Sequence, residues 1–211
     1  MIGDKLIIQR KHTERAAELC QDLTPLIRDG YTISVAGESG AGKSELASEM
    51  SRLFNESGIP SGILQQDDYF VFPPSTNHEM RRRNIDQVGP YEVKLDFLDA
   101  NLRNFKRGEN PIYKPLTIFS EDRLTTEAFD ASQLAVLIAE GTYTSLLKFI
   151  DYRVFIDRDY RHTLEDRKRR ARDKFDAFIM DVLEREHQII SKHKTLADAI
   201  ISTEFDRVIY P

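Results

Sequence analysis

Gly37-Glu38-Ser39-Gly40-Ala41-Gly42-Lys43-Ser44 is the stretch from which the chain is read. It fits G-x-x-x-x-G-K-[ST], the phosphate-binding loop. Its glycines let the backbone turn tightly enough for successive N–H groups to face one anion. Lys43 is then placed to reach β- and γ-phosphates, and the Ser44 hydroxyl to ligand Mg2+. Upstream, Tyr31-Thr32-Ile33-Ser34-Val35-Ala36 reads as a buried strand. Downstream, Leu46, Ala47, Met50, Leu53 and Phe54 share one helical face, so the positive end of a helix points at the same anions. The bland alternative is a glycine turn between a strand and a helix.

The remaining composition is that of an ordinary globular protein. The chain has 211 residues, 40% hydrophobic and 31% charged, with a net charge of −5. That length suits one domain carrying a lid, and the acidic balance argues against nucleic-acid or acidic-membrane partners. Cys20 is the single cysteine. No internal disulfide is possible, and core packing in a reducing, cytoplasmic setting is expected. Met1-Ile2-Gly3-Asp4-Lys5 reads as no signal peptide, and no apolar run suits a membrane span.

Helical and strand-like stretches alternate along the chain. Leu6-Ile7-Ile8 reads as a short strand or a docked arm, and residues 13–27 as an amphipathic helix ending at Asp29-Gly30. Ile63-Leu64-Gln65-Gln66 reads as a strand ending in Asp67-Asp68-Tyr69-Phe70. Residues 71–90 read as a long irregular loop holding Arg81-Arg82-Arg83, either a solvated charge run or a phosphate contact. A helix through Leu95 and Phe105 follows, then an extended Pro111–Phe119 segment that pairs with Leu124–Phe129 as a hairpin, flap or exposed edge. Leu134 to Ala139 is a buried strand running into Glu140-Gly141, and Arg153–Ile156 is another ending at Asp157. In residues 158–174 eight Lys and Arg stand against four Asp and Glu. A long amphipathic helix from Phe175, a strand at Ala197–Ile201 and a terminal strand at Val208-Ile209-Tyr210 complete the pattern. It predicts an α/β fold with a mostly parallel five-stranded sheet, helices on both faces and a helical arginine-rich lid.

Phosphoryl transfer is mostly positioning and charge neutralisation. Asp67 or Asp68, at the end of a strand, is a candidate to orient an acceptor hydroxyl and take its proton; a capping or turn pair is the alternative. Glu140 is placed to hold a metal-bound water, or merely ends its strand. Arg167 and Arg170, three apart on one helical side, suit bidentate phosphate contact, with a solvated ion-paired helix as the alternative. The five histidines form no metal site, and no G-x-S-x-G turn occurs. Asp86-Gln87-Val88-Gly89 fits the D-x-x-G of a nucleotide switch, but no N-K-x-D motif accompanies it.

The phosphate loop, Gln66-Asp67 with Tyr69-Phe70, Asn84-Ile85-Asp86, Pro111-Ile112-Tyr113, Ile138-Ala139-Glu140-Gly141, Phe155-Ile156-Asp157 before the arginines, and Leu196–Ile201 occur in an order that resembles the uridine kinase and phosphoribulokinase group of P-loop kinases. The resemblance implies the P-loop nucleoside triphosphate hydrolase fold in one domain, 1–211, with a lid at about 158–178 and acceptor-site insertions at about 67–92 and 110–129. It implies ATP and Mg2+ as cofactors and transfer to a hydroxyl of a small sugar-containing metabolite, first a nucleoside such as uridine, with ribulose phosphate, pantothenate or nicotinamide riboside as the alternative acceptors and a homo-oligomer open. Lys43, Asp67, Arg167 and Arg170 would be catalytic. Gly37 to Ser44 and Arg172 would bind the nucleotide, and Ser44 and Glu140 the metal. Asp68, Tyr69, Phe70, Asp86 and Tyr113 would meet the acceptor. Three places depart from the uridine kinase pattern: Asp68 stands where serine is usual, Lys114-Pro115 replaces an Asp-Phe that precedes a histidine, and the lid is shorter. A decayed, non-catalytic nucleotide-binding module is the reading those departures leave open.

Overall fold

Tyr31–Gly37 (β1) is buried along its whole length, which places it at the centre of the structure. The computed structural model describes residues 6–163 and 177–211. Around β1 lie Ser61–Gln65 (β2), Val136–Gly141 (β5), Tyr152–Ile156 (β6), Ala199–Ile201 (β7) and Val208–Ile209 (β8), in the sheet order β2-β5-β1-β6-β7-β8. The first five are mutually parallel, as expected from their alternation with helices. β8 adds an antiparallel edge, so the terminal strand forms and the sheet has six strands rather than five.

Strand alternation sorts the core into two layers. Ile33, Val35, Val136, Ile138, Val154 and Ile156 face the helices Arg10–Leu23 (α1) and Lys43–Glu56 (α2). Ala36, Leu137, Ala139 and Phe155 face the other way, against Leu98, Leu102 and Phe105 of Leu95–Lys106 (α4) and Ile190 of Ala177–Ile190 (α5). Cys20 sits in the first layer, where burial pushes its thiol up to about 12. Register then aligns the strand ends. Gln65 pairs with Glu140, Ala36 with Gly141 and Gly37 with Ile156, so the loops after β1, β2, β5 and β6 leave from one edge. That carboxyl edge is where open α/β sheets bind ligands.

Several elements differ from their expected form. α1 runs Arg10–Leu23 and gives way to a short 3-10 turn, Thr24–Leu26, because Pro25 has no N–H to continue the ladder. The stretch expected to be irregular contains a helix, Pro74–Arg83 (α3). Pro74 starts it, but none of its residues is fully buried, so no apolar period marked it. Leu6-Ile7-Ile8 forms no strand; it docks through an N–H donated by Ile7 to Glu45, 3.4 Å. Ile112–Ile118 (β3) and Arg123–Phe129 (β4) form a separate antiparallel hairpin folded back on the turn after β2. Arg167, Arg170 and Arg172, with most of the expected lid, lie outside the described residues.

Candidate active site

The turn after β1 takes the conformation that its glycines permit. Gly42 sits at φ +103°, and a Cβ there would come within 3.2 Å of the His12 ring, so the loop is packed from behind and open in front. α2 starts at the next residue with no side chain capping its first turn, which leaves its N–H groups directed at the loop's opening. Lys43 Nζ donates to the main-chain oxygen of Glu38, 2.9 Å, across the loop it is expected to serve. Ser44 Oγ donates to Glu140 Oε1, 3.1 Å, joining the start of α2 to the end of β5.

Glu38 has a different use from the rest of the loop. Its side chain is buried and accepts from the Tyr160 N–H at 2.8 Å and pairs with His187 Nδ1 at 2.6 Å. Burial lifts this carboxyl above its ordinary range, and the His187 bond opposes the rise. Glu38 therefore ties the phosphate loop to the start of one helix and the middle of another.

Asp67 and Glu140 close the other side of the cleft. Burial lifts Asp67 above the usual carboxylate range, with Lys43 opposing. Among the described residues its carboxylate accepts no hydrogen bond, although its main-chain oxygen accepts from Thr117 Oγ1 at 3.1 Å. Glu140 is pushed up to about 7, first by burial and then by the charge of Asp67, against Lys43 and the Ser44 bond. Two buried carboxylates, one raised by the charge of the other, stand beside a serine hydroxyl in a site short of positive charge. The described residues hold no cluster of three or more His, Cys, Asp or Glu. Ser44 with Glu140 is the sparse oxygen set that suits Mg2+, which relies on water and phosphate oxygens for its remaining ligands.

The acceptor-side residues fall into three groups. Asp68 is turned into the hairpin: its Oδ2 meets Lys114 Nζ at 2.8 Å, and its Oδ1 accepts from the Thr117 N–H at 2.9 Å. Of the two adjacent aspartates, only Asp67 keeps an unengaged carboxylate facing Lys43. Tyr69 is also inside, its hydroxyl accepting from Asn101 Nδ2 at 2.8 Å and its ring edge-on to Phe97. Phe70 is half-buried and bridges to Val93. Tyr113 and Asp86 are outward. Tyr113 is 62% exposed on the hairpin, and Asp86 lies on a 3-10 turn, 3.2 Å from Arg185 of α5.

Arg81 departs from the rest of the basic triplet, whose Arg82 and Arg83 are exposed as a solvated charge run would be. Its guanidinium is three-quarters or more buried, grips both oxygens of Glu92 and reaches Glu186 at 3.3 Å. Burial opposes its charge, but Glu186 and Glu92 hold it above the usual guanidinium range. It is neither a solvated residue nor a phosphate ligand waiting to be used. Lys114, Arg185, Glu92, Glu186 and His187 were not identifiable as site residues, because each partner is 11 to 149 positions away and no local motif marks it. Only Lys114 carried a signal, as a departure from the uridine kinase pattern. Gln66 is another: its Oε1 accepts from the Tyr143 N–H at 2.7 Å, and it lies so close to Gly141 that a Cβ there would be 2.2 Å from its own.

Comparison with known proteins gives the family and the fold. A curated uridine kinase of Leuconostoc citreum is 25% identical over 85% of this chain and 88% of its own length. A bifunctional alpha-galactosidase/sucrose kinase of Mediterraneibacter gnavus is 28% identical over 82% of this chain, which spans only 20% of that relative. Among solved structures, a phosphoribulokinase from Rhodobacter spheroides superposes with a TM-score of 0.63 at 16% identity, over 82% of this chain and 69% of that one. The family model for phosphoribulokinase and uridine kinase matches residues 32–201. The fold is that of a P-loop kinase, and the chain belongs to the phosphoribulokinase/uridine kinase family.

Proposed function

We propose that the protein transfers the γ-phosphoryl group of ATP to a hydroxyl of a small, uncharged, sugar-containing metabolite, with a nucleoside such as uridine as the leading acceptor. The observation that carries this is Asp67, whose carboxylate has no hydrogen-bond partner among the described residues, follows β2 at the carboxyl edge of the sheet, and lies within electrostatic reach of Lys43 and Glu140. In this reading Asp67 orients the acceptor hydroxyl and takes its proton as the oxygen bonds to the γ-phosphorus and the bond to ADP breaks. Lys43 leaves its loop carbonyl to meet the transferred group, and Ser44 with Glu140 would hold Mg2+. The ion would supply charge neutralisation at the phosphates. Arg167, Arg170 and Arg172 remain proposed phosphate contacts.

Charge on the acceptor side favours an uncharged substrate over a sugar phosphate. Lys114 is paired with Asp68 and Glu127, Arg81 with Glu92 and Glu186, and Arg185 with Asp86. Among the described residues these pairs leave surplus acid rather than a cation to receive a second phosphate. The sucrose kinase relative favours free sugars as the second class to test. A nucleotide switch is disfavoured by the position of Asp86, on an exposed turn paired with Arg185 rather than at a strand end beside the loop.

The test is ADP release from ATP with a panel of nucleosides, free sugars, sugar phosphates and pantothenate. Release that requires a nucleoside or free sugar is expected. Release without any acceptor, preference for GTP, or a sugar phosphate as the best acceptor would overturn the reading.

A further inference from the structure

Asp68 and Lys114 are the buried charged pair that the proposed chemistry does not use; they are 1% and 4% exposed. Lys114 Nζ donates to Asp68 Oδ2 at 2.8 Å and to the main-chain oxygen of Pro115 at 3.1 Å, and meets Glu127 Oε1 of β4 at 2.6 Å. The other oxygen of Asp68 holds the Thr117 N–H, and the Thr117 hydroxyl holds the main-chain oxygen of Asp67. One ammonium thus connects both strands of the hairpin to the turn that carries Asp67. A buried ion pair adds little stability over an apolar pair of the same size, because desolvation offsets its attraction. What it can supply is register, since charges that must meet in a dry site allow few alternative placements.

The register has two outputs. Asp67 is the residue before Asp68, so its backbone is held from both ends of the Asp68–Thr117 pair. Tyr113 is the residue before Lys114 on β3, and strand alternation sends it to the opposite, exposed face. We propose that the Asp68–Lys114 pair is the positioning device of the acceptor site, fixing the placement of Asp67 and the standoff of Tyr113 as a single unit. This rests on the kinase reading above. Neither residue touches the reacting atoms; both act through their neighbours in sequence.

The experiment uses three variants of the full chain: Lys114→Met, Lys114→Arg, and the double variant Asp68→Asn with Lys114→Met. Steady-state kinetics with the best acceptor of the panel are combined with amide hydrogen exchange at residues 66–70 and 112–118. Lys114→Met should lower kcat about tenfold to a hundredfold and raise the acceptor KM, with the KM for ATP within about twofold, as expected for misplacement confined to one half of a site. Lys114→Arg should recover part of kcat. The double variant removes the unpaired charge, so its melting temperature should return towards the wild-type value while kcat stays low. Exchange should quicken in both segments together. A double variant with wild-type kcat and acceptor KM, or quickened exchange in the hairpin alone, would overturn the proposal. If the wild-type protein phosphorylates nothing in the panel, the kinase reading fails, and coupled or uncoupled exchange still decides whether the pair joins the two segments.

Discussion

The phosphate-loop half of the site and its proposed acceptor half are built on different principles. The donor half is local: eight consecutive residues, Gly37 to Ser44, supply the turn, the lysine and the hydroxyl, and the strand and helix that hold them follow directly in sequence. The acceptor half is assembled from distant pieces. Asp67 follows β2, the hairpin that buttresses it arrives about fifty residues later, and Arg81 is gripped by residues from two further segments. A local device is specified by a motif and tolerates little variation. A composite one depends on pairs such as Asp68 and Lys114, which meet at 2.8 Å from segments 46 positions apart.

The sharpest break between the halves should come from Asp67→Asn. Phosphoryl transfer should fall by about 10^3-fold or more, the upper part of the range for a general base, while ATP binding followed by calorimetry stays within a few-fold. Retained turnover would remove Asp67 from the reaction and return the role to another group.

Glu140 tests where the halves join. Its carboxyl is raised from 4.5 to about 7 in the folded protein, so protonation favours the native state. The resulting stability is fully present below about pH 4.5 and is lost as pH rises through about 7, and the ligand-free protein should weaken over that window. A cation needs the ionised form, so the trend for metal has the opposite sign. Mg2+ affinity, read as the rise in melting temperature with Mg2+ and ADP, should increase by up to about tenfold per pH unit below 7 and level off above it. Glu140→Gln should flatten both profiles. An unchanged slope in that variant would place the titrating group elsewhere.

The smallest effect belongs to a residue that resembles an acceptor contact and is packed as core. Tyr69→Phe removes a buried hydroxyl and leaves Asn101 Nδ2 without its acceptor, which should cost about 1–3 kcal/mol in denaturant unfolding. The acceptor KM should stay within about twofold. A large KM change with intact stability would mean that Tyr69 swings out to meet the substrate.

The sheet and the donor loop were legible because their determinants are short-range. β1 and β5 are continuous apolar runs, and Lys43 and Ser44 stand in a motif whose spacing has one use. The strand-end position marked Asp67 together with Asp68, and the arginine spacing marked the expected lid, whereas Asp86 and Tyr113 came from resemblance alone, with their order along the chain as the guide. What the chain did not disclose is polar and long-range. α3 has no apolar stripe to read, and the difference between Asp67 and Asp68 depends on which of them meets Lys114, 46 positions away. No periodicity records such a partner. The departure at Lys114 marked a location, and only the fold supplied its meaning.

The bonds of Glu38 have a consequence for chain entropy. Tyr160 and His187 lie on either side of residues 164–176, and both are held by the same carboxylate. Bringing the ends of a loop together normally has an entropic cost that grows slowly with its length. Here one carboxylate of the phosphate loop holds two points 27 positions apart, so part of that cost is met at Glu38 itself. A substitution at Glu38 therefore releases both attachments at once, and should be felt as faster amide exchange around Tyr160 and His187 rather than as a lost phosphate contact.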